Sequence, residues 1–452
     1  MNNQKTLINN LSEGPVLKGM IRFAIPLLLA NLLQAVYSMV DMVVVGQFGG
    51  PAGLSAVGIG GQITNLFLAI GMGFSGGAQV VISQQVGIGS KKISKTIGTL
   101  LTLELILAIV AGFIGIVFHK GILSLMNTSE AAWQEACNYL TICSCGMIFI
   151  YGYNALCAVL RGMGESKLPM VFIAIASLVN VVLDLLFVGV FYWGAAGAAA
   201  ATVIAQAVSF FLAAIYLYRH KEAAQFDFRL SSFAIDPQQL KALCRLGIPS
   251  VVQQFLITGS ITFINAQVNA FGVVASAVDS VGGKLNTVIH IVSGACCTAT
   301  ATMVAQSFGA KKIDRVQKAF WTCAAICMAW GAVLIACYLL FPRQIMGLFT
   351  SDPEVLDMAP QYLTYAIVWV LAMCTMDAPF SLVQGIGHAS LNLVVALLDG
   401  VAARISLSLL LGHFLGLPGY WLGNGLAGFV TTIALGVYYF TGRWKNRQVI
   451  TE

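Results

Sequence analysis

The chain is a succession of apolar stretches, most of about 20 residues or more, recurring from one end to the other. A helix needs roughly 20 mostly apolar residues to cross the ~30 Å hydrocarbon core of a bilayer. Inside that core the backbone must satisfy its own polar groups, so a spanning segment is a helix or part of a closed barrel. These stretches are too long for barrel strands and do not alternate, which leaves helices. Composition agrees: 58% of residues are hydrophobic and 9% charged, against about 25% charged in a soluble domain. Mean hydropathy is +0.85. Met1–Leu17 is polar, with no cleavable signal pattern, and the first apolar stretch reads as a first span.

The expected fold is an all-α integral membrane protein of twelve transmembrane helices in two six-helix bundles. Spans are placed near 20–46, 54–83, 94–117, 132–160, 168–190 and 194–218, then 243–271, 275–303, 316–340, 355–384, 391–411 and 419–440. The expected divisions are an N-terminal lobe 1–218, a cytoplasmic linker 219–242 and a C-terminal lobe 243–452. Lys and Arg orient the spans. Of 24 such residues, only Lys120 and Arg343 fall opposite the N-terminal side, and Lys284 and Arg404 fall inside spans. The positive-inside rule then puts both termini and the linker in the cytoplasm of a multi-pass cell-membrane protein. It also accounts for the +6 charge without nucleic acid.

The halves repeat one another. FAIPLLLANLLQ at Phe23–Gln34 answers LGIPSVVQQFL at Leu246–Leu256, and LSAVGIGGQI at Leu54–Ile63 answers ASAVDSVGGKL at Ala275–Leu285. SQQVGIGSKKI at Ser83–Ile93 answers AQSFGAKKI at Ala305–Ile313, and LRGMGES at Leu160–Ser166 answers VQGIGHA at Val383–Ala389. An even number of spans per half makes this a parallel repeat, its axis along the membrane normal and a binding site between the halves. Such duplication is how alternating-access transporters are built. It disfavours a channel, and no sensor domain suggests a receptor. No nucleophile–base constellation or phosphate loop suggests an enzyme. The chain is expected to act as a monomer in the lipid bilayer.

Ionisable residues inside spans carry the chemistry, because a charge at membrane depth is costly and marks an ion or substrate path. Gln34, Tyr37 and Asp41 share a face of the first span, and Ser177, Asn180 and Asp184 form a polar stripe on the fifth. Ala198, Thr202 and Gln206 follow at four-residue steps on the sixth. The stripes lie at comparable depth, in the outer half. Together they suit a small oxygen-rich pocket for Na⁺ or a shuttled proton. The alternative is that each Asp bonds a neighbouring helix. Pro26 and Pro249, at matching positions, and Pro379 read as hinges or static kinks.

The C-terminal half offers a possible polar site of Gln253, Lys284, His290, Asp377, Asp399 and Arg404. Asp279/Lys284 and Asp399/Arg404 are five apart, poor spacing for pairing along one α-helix, so pairing across helices is expected. His290 is expected to be buried and neutral, the alternative being a titrating group. Lys284 could instead face a cavity and select anions. Glu104 fits a cavity or an interhelical bond. The 11 cysteines, mostly inside spans, lack the loop context of a zinc site and read as small packing residues, with no resident metal.

In combination, the paired IP…Q first spans, VDMVVVG, SQQVG, LRGMGES and the duplicated layout resemble the multidrug and toxic compound extrusion (MATE) family over nearly the whole chain. The carboxylate pattern resembles its DinF-like branch, which implies that Asp41, Asn180, Asp184 and Thr202 bind the coupling cation or proton. It makes Gln34, Tyr37 and Asn154 candidates for lining a drug cavity. The NorM-like branch uses a Glu on the seventh span, where this chain has Gln253 and Gln254. The resemblance implies an antiporter exporting amphipathic drugs or organic cations, coupled to Na⁺ or H⁺ and without a further cofactor. The alternative is a lipid-linked precursor flippase of the same superfamily.

Overall fold

The computed structural model describes residues 9–450. Its helices run α1 (Val16–Phe48), α2 (Gly50–Ile88), α3 (Ile93–Val117), a short α4 (His119–Leu125), α5 (Glu130–Cys145), α6 (Met147–Gly162), α7 (Lys167–Asp184) and α8 (Gly194–Arg219). They continue as α9 (Pro237–Asn269), α10 (Val273–Gly309), α11 (Ile313–Leu340), a short α12 (Pro342–Gly347), α13 (Pro353–Gly385), α14 (Ala389–Ala396), α15 (Arg404–Leu415) and α16 (Leu417–Phe440). Two π-helical segments, Leu185–Val190 and Leu397–Ala403, interrupt the fifth and eleventh spans.

Among the described residues, 11 helices are long and apolar enough to cross a membrane, and a bent pair supplies the twelfth. That pair is α5 and α6, which meet at 47°. The sequence pattern reads as one continuous span there. Gly146 stands at the break, and a Cβ on it would lie 2.4 Å from Val203 Cγ2. The bend thus brings the backbone against α8 in a way that only glycine permits. The chain is a multi-pass, all-α membrane protein.

The described chain divides into two compact units. One comprises 9–10 and Ile25–Gly247, the other Leu11–Ala24 and Ile248–Ile450. In the first, α2 packs on α3, α5 and α6, and α7 on α8. Val45, Ala56, Leu140, Val188 and Ala199 belong to one of its apolar clusters. In the second, α13 packs on α10, α11 and α16, and α16 on α15. A Cβ on Gly423 would meet the Ser408 backbone at 2.5 Å, so α15 and α16 touch backbone to backbone, as small residues allow in lipid.

These divisions differ from those expected at 218 and 243. α1 passes from one unit to the other at Ala24/Ile25 and α9 at Gly247/Ile248, each one residue before Pro26 or Pro249. Both helices, and α13 through Pro379, remain continuous. Leu11–Gly14 is fastened in the second unit: Arg315 Nη2 donates to Leu11 O at 2.7 Å and Lys312 Nζ to Ser12 O at 3.0 Å. In the first unit, residues 226–239 dock on α3. Thr102 Oγ1 donates to Phe233 O at 2.6 Å, and the Asp236 amide donates to Thr99 Oγ1 at 3.0 Å. Gln85, Thr96 and Gln239 close a buried hydrogen-bonded triad.

Candidate functional site

The first unit holds a cavity of about 140 Å³ between side chains of α1, α2, α6, α7 and α8. Gln34, Tyr37, Asn154, Ser177 and Gln206 all line it, as do Asn180 and Thr202. Periodicity explains the convergence. Three-and-four spacing puts each polar set on one helix face, and bundle packing turns those faces inward. Asn31 and Arg161 also line it and were missed in the sequence. Asn31 lies one turn before Gln34, so helical spacing carried the signal. Arg161 reads as a loop cation after the fourth span, yet it occupies the last turn of α6.

Asp41 and Asp184 do not line the cavity. Asp41 is 9% exposed and Asp184 0%, near enough for their charges to interact. Tyr37, on the cavity wall, neighbours Gln34, Gln206 and both carboxylates. Asp41 Oδ1, both oxygens of Asp184, both amide atoms of Asn180 and Ser177 Oγ are buried with no hydrogen-bond partner among the described residues. An unpartnered buried polar atom costs about 1–3 kcal/mol, and a charged one more. No Lys or Arg is paired to these atoms among the described residues, and together they make a buried, oxygen-rich polar group. Ala198 does not add to it. Its side chain is fully buried in the apolar cluster with Val188 and Ala195.

Of the six C-terminal candidates, Asp399 and Arg404 are paired with one another. Arg404 Nη2 donates to Asp399 Oδ1 at 3.1 Å along the same span, against the expectation of pairing across helices. The reason is the π-segment Leu397–Ala403, whose i→i+5 geometry stacks residues five apart. Arg404 Nη1 also donates to Asn424 Oδ1 at 2.7 Å, and Thr431 Oγ1 to Asp399 Oδ2 at 2.9 Å. His290 sets its ring edge-on to Trp369 at 5.4 Å. Lys284 is exposed and is not the partner of Asp279. The Asn265 amide, oriented to satisfy both its ends, donates to Asp279 Oδ2 at 3.2 Å. Gln253 is half-buried on α9, and Asp377 lies among cysteines. Glu104 makes an interhelical bond: Ser75 Oγ donates to its Oε1 at 2.7 Å.

Outside the spans, the Asp227 carboxyl is held below its usual range, chiefly by the Ser232 hydroxyl and then by the Arg229 backbone N–H. Asp236 is also held below it, chiefly by the Gln239 backbone N–H, with Lys95 adding to the effect.

The MatE family profile matches residues 26–186 and 249–410. The probable multidrug resistance protein YpnP of Bacillus subtilis is 29% identical over 445 residues, covering 98% of this chain and 99% of that protein. The probable multidrug resistance protein NorM of Thermotoga maritima is 24% identical, over 96% of this chain and 94% of its own. Among solved structures, the outward-facing conformation of a multidrug resistance MATE family transporter of the MOP superfamily superposes with a TM-score of 0.90 at 22% identity, covering 99% of this chain and 100% of that one. A MOP superfamily transporter from Pyrococcus furiosus, whose reverse pocket polarity is said to suggest a different function, superposes at 0.89 and 22% identity, over 98% of both chains.

Proposed function

The chain belongs to the MatE family, and on that premise we propose that it exports amphipathic drugs or organic cations in exchange for inflowing H⁺ or Na⁺. The observation that carries this reading is the group of unpartnered buried atoms on Asp41, Ser177, Asn180 and Asp184 beside a polar cavity. In this reading Asp41 and Asp184 take up the coupling ion, Asn180 and Thr202 complete its shell, and Gln34, Tyr37, Asn154 and Gln206 meet the drug.

Exchange needs ion and drug to bind alternately. Ser177 and Asn180 line the cavity wall and share α7 with Asp184, and Thr202 lines it from α8, so ion binding at Asp184 changes the surface a drug would meet. At about 140 Å³ the cavity falls below the ~300–1,000 Å³ that drug-sized ligands occupy. Drug entry therefore requires helices around it to move apart. Pro26 breaks the α1 hydrogen-bond ladder where the helix changes unit, and that is where we place the motion. The ion shifts the population between narrow and open forms by its differential affinity for them. The Lys and Arg distribution supports cytoplasmic termini, so export runs outward.

The test is efflux of a fluorescent cationic dye from vesicles holding the purified protein, with Na⁺ and proton gradients imposed separately. One gradient should drive efflux and its collapse should stop it. Movement of dye that neither gradient alters would overturn the coupling. Movement of a lipid-linked precursor without dye would favour the flippase reading.

A further inference from the structure

The second unit holds a cysteine cluster separate from the proposed coupling residues and cavity. Cys296 on α10 meets Cys323 and Cys327, one turn apart on α11. Cys296 Sγ lies 3.9 Å from Cys323 Sγ, which lies 4.0 Å from Cys327 Sγ. All three sulfurs are within 4.8 Å of one another. The residues are 4%, 0% and 1% exposed. Asp377 on α13, 6% exposed, lies beside Cys327 and Cys297. Its backbone carbonyl accepts from Ser381 Oγ at 2.7 Å and from Cys297 Sγ at 3.8 Å. Its Oδ2 is buried without a hydrogen-bond partner among the described residues.

We propose that the thiolates of Cys296, Cys323 and Cys327, with the carboxyl group of Asp377, bind a thiophilic dication of the Zn²⁺ class. Geometry makes the first argument. A Zn–S bond of about 2.3 Å separates sulfurs by about 3.8 Å in a tetrahedral site and about 4.0 Å in a planar three-coordinate one. Two observed separations lie within that range or at its edge, and the third pair of sulfurs is within 4.8 Å, so closing on a metal needs a shift of at most about 1 Å at that pair. A disulfide would bring two of the sulfurs to about 2.0 Å and leave the third without a role.

Donor chemistry makes the second argument. Sulfur ligands select soft and borderline metals, and three thiolates with one oxygen complete a tetrahedron. As thiols the cysteines are neutral, which a span tolerates. Binding releases their protons. The dication offsets two of the three negative charges left on sulfur, and an ionised Asp377 adds a fourth, so the site is most compact in charge with Asp377 protonated and ligating through its carbonyl oxygen. Packing alone asks for no such convergence, since alanine or valine fills a helix interface without bringing three sulfurs together. The unpartnered Asp377 oxygen lies outside the 4.8 Å cluster, beside Cys327, and would have to swing in to complete the site. Occupied, the site would tie α10, α11 and α13 to one another.

Co²⁺ serves as a coloured stand-in for Zn²⁺, added to the purified full-length protein under a phosphine reductant. One Co²⁺ per chain should bind, with near-ultraviolet thiolate-to-metal absorption of three Co–S bonds and the visible bands of a tetrahedral site. One equivalent of Zn²⁺ should bleach both. Cys323→Ser should lose the thiolate absorption, and Cys145→Ser, at an exposed position, should keep it. Asp377→Asn should keep the thiolate absorption, change the visible bands and weaken Zn²⁺ binding on the order of tenfold or more. Should Cys323→Ser fail to fold, Cys296→Ser and Cys327→Ser give the same reading, and Zn²⁺ should raise the melting temperature of the wild type alone. Absence of thiolate absorption in the wild type, or its persistence in a folded variant lacking Cys296, Cys323 or Cys327, overturns the proposal.

Discussion

Arg404 and Asp399 stand five residues apart on one membrane span and still meet, Nη2 to Oδ1, at 3.1 Å. Both side chains are under 10% exposed, so neither charge has water to fall back on. An α-helix would turn them away from each other, and the π-segment restores the contact.

Removing one partner of such a pair strands the other. Arg404→Leu or Asp399→Leu should destabilise the protein by about 3–5 kcal/mol, whereas the double substitution should recover most of that loss. Unfolding of the three variants in detergent, read as a double-mutant cycle, measures the difference. A loss in the double variant equal to the sum of the two single losses would show that the pair does not act as a unit.

Asp41→Asn and Asp184→Asn should each leave a folded protein, because a neutral amide of nearly the same shape costs less to bury than a carboxylate. Gradient-driven efflux should fall to the rate seen without a gradient in both. Gel-filtration profiles report the fold and vesicle assays the transport. Wild-type rates in both variants would place coupling elsewhere.

Gly98 lies where the segment 226–236 crosses α3, and a Cβ there would sit 1.7 Å from Ser232 O. A backbone atom cannot step aside as a flexible side chain can. Gly98→Ala should therefore detach the segment, lower the melting temperature and open residues 222–236 to protease. Gly61→Ala, with no atom within 4 Å of the added methyl, is the control and should unfold as the wild type does.

Asp236 caps α9, its Oδ1 accepting from the Gln238 amide at 3.0 Å and the Gln239 amide at 3.1 Å, while its Oδ2 pairs with Lys95 at 3.1 Å. Asp236→Ala should cost about 0.5–2 kcal/mol at neutral pH. Because the folded carboxyl titrates below its ordinary 3.8, its contribution is complete above that value and fades as pH falls through the lower folded one. The wild-type and variant stability curves should converge at the acid end. A constant gap throughout would rule out the ionised cap.

Arg229 is 80% exposed in its side chain, which suits a topology probe. In a cysteine-depleted background, Arg229→Cys should resist an impermeant maleimide in intact cells and react after lysis. Labelling without lysis would reverse the proposed orientation.

The sequence by itself determined the class of fold and the polar stripes on the first, fifth and sixth spans that line the cavity. Span length is fixed by bilayer thickness, and helical periodicity turns local spacing into a shared face. Gln34 and Tyr37 on α1, Ser177 and Asn180 on α7, and Thr202 and Gln206 on α8 could therefore be read from one-dimensional patterns. Tertiary structure alone decided what depends on departures from that periodicity or on contacts between distant segments. The π-segment that joins Asp399 to Arg404 breaks the α-helical spacing on which the reading relied. The bend at Gly146 follows from Val203 on another helix, and the docking of residues 226–239 from contacts with α3. Cys296 meets Cys323 and Cys327 only because α10 packs on α11. No local motif announces such a meeting, because the distance between two side chains on different helices is set by packing and not by their separation along the chain.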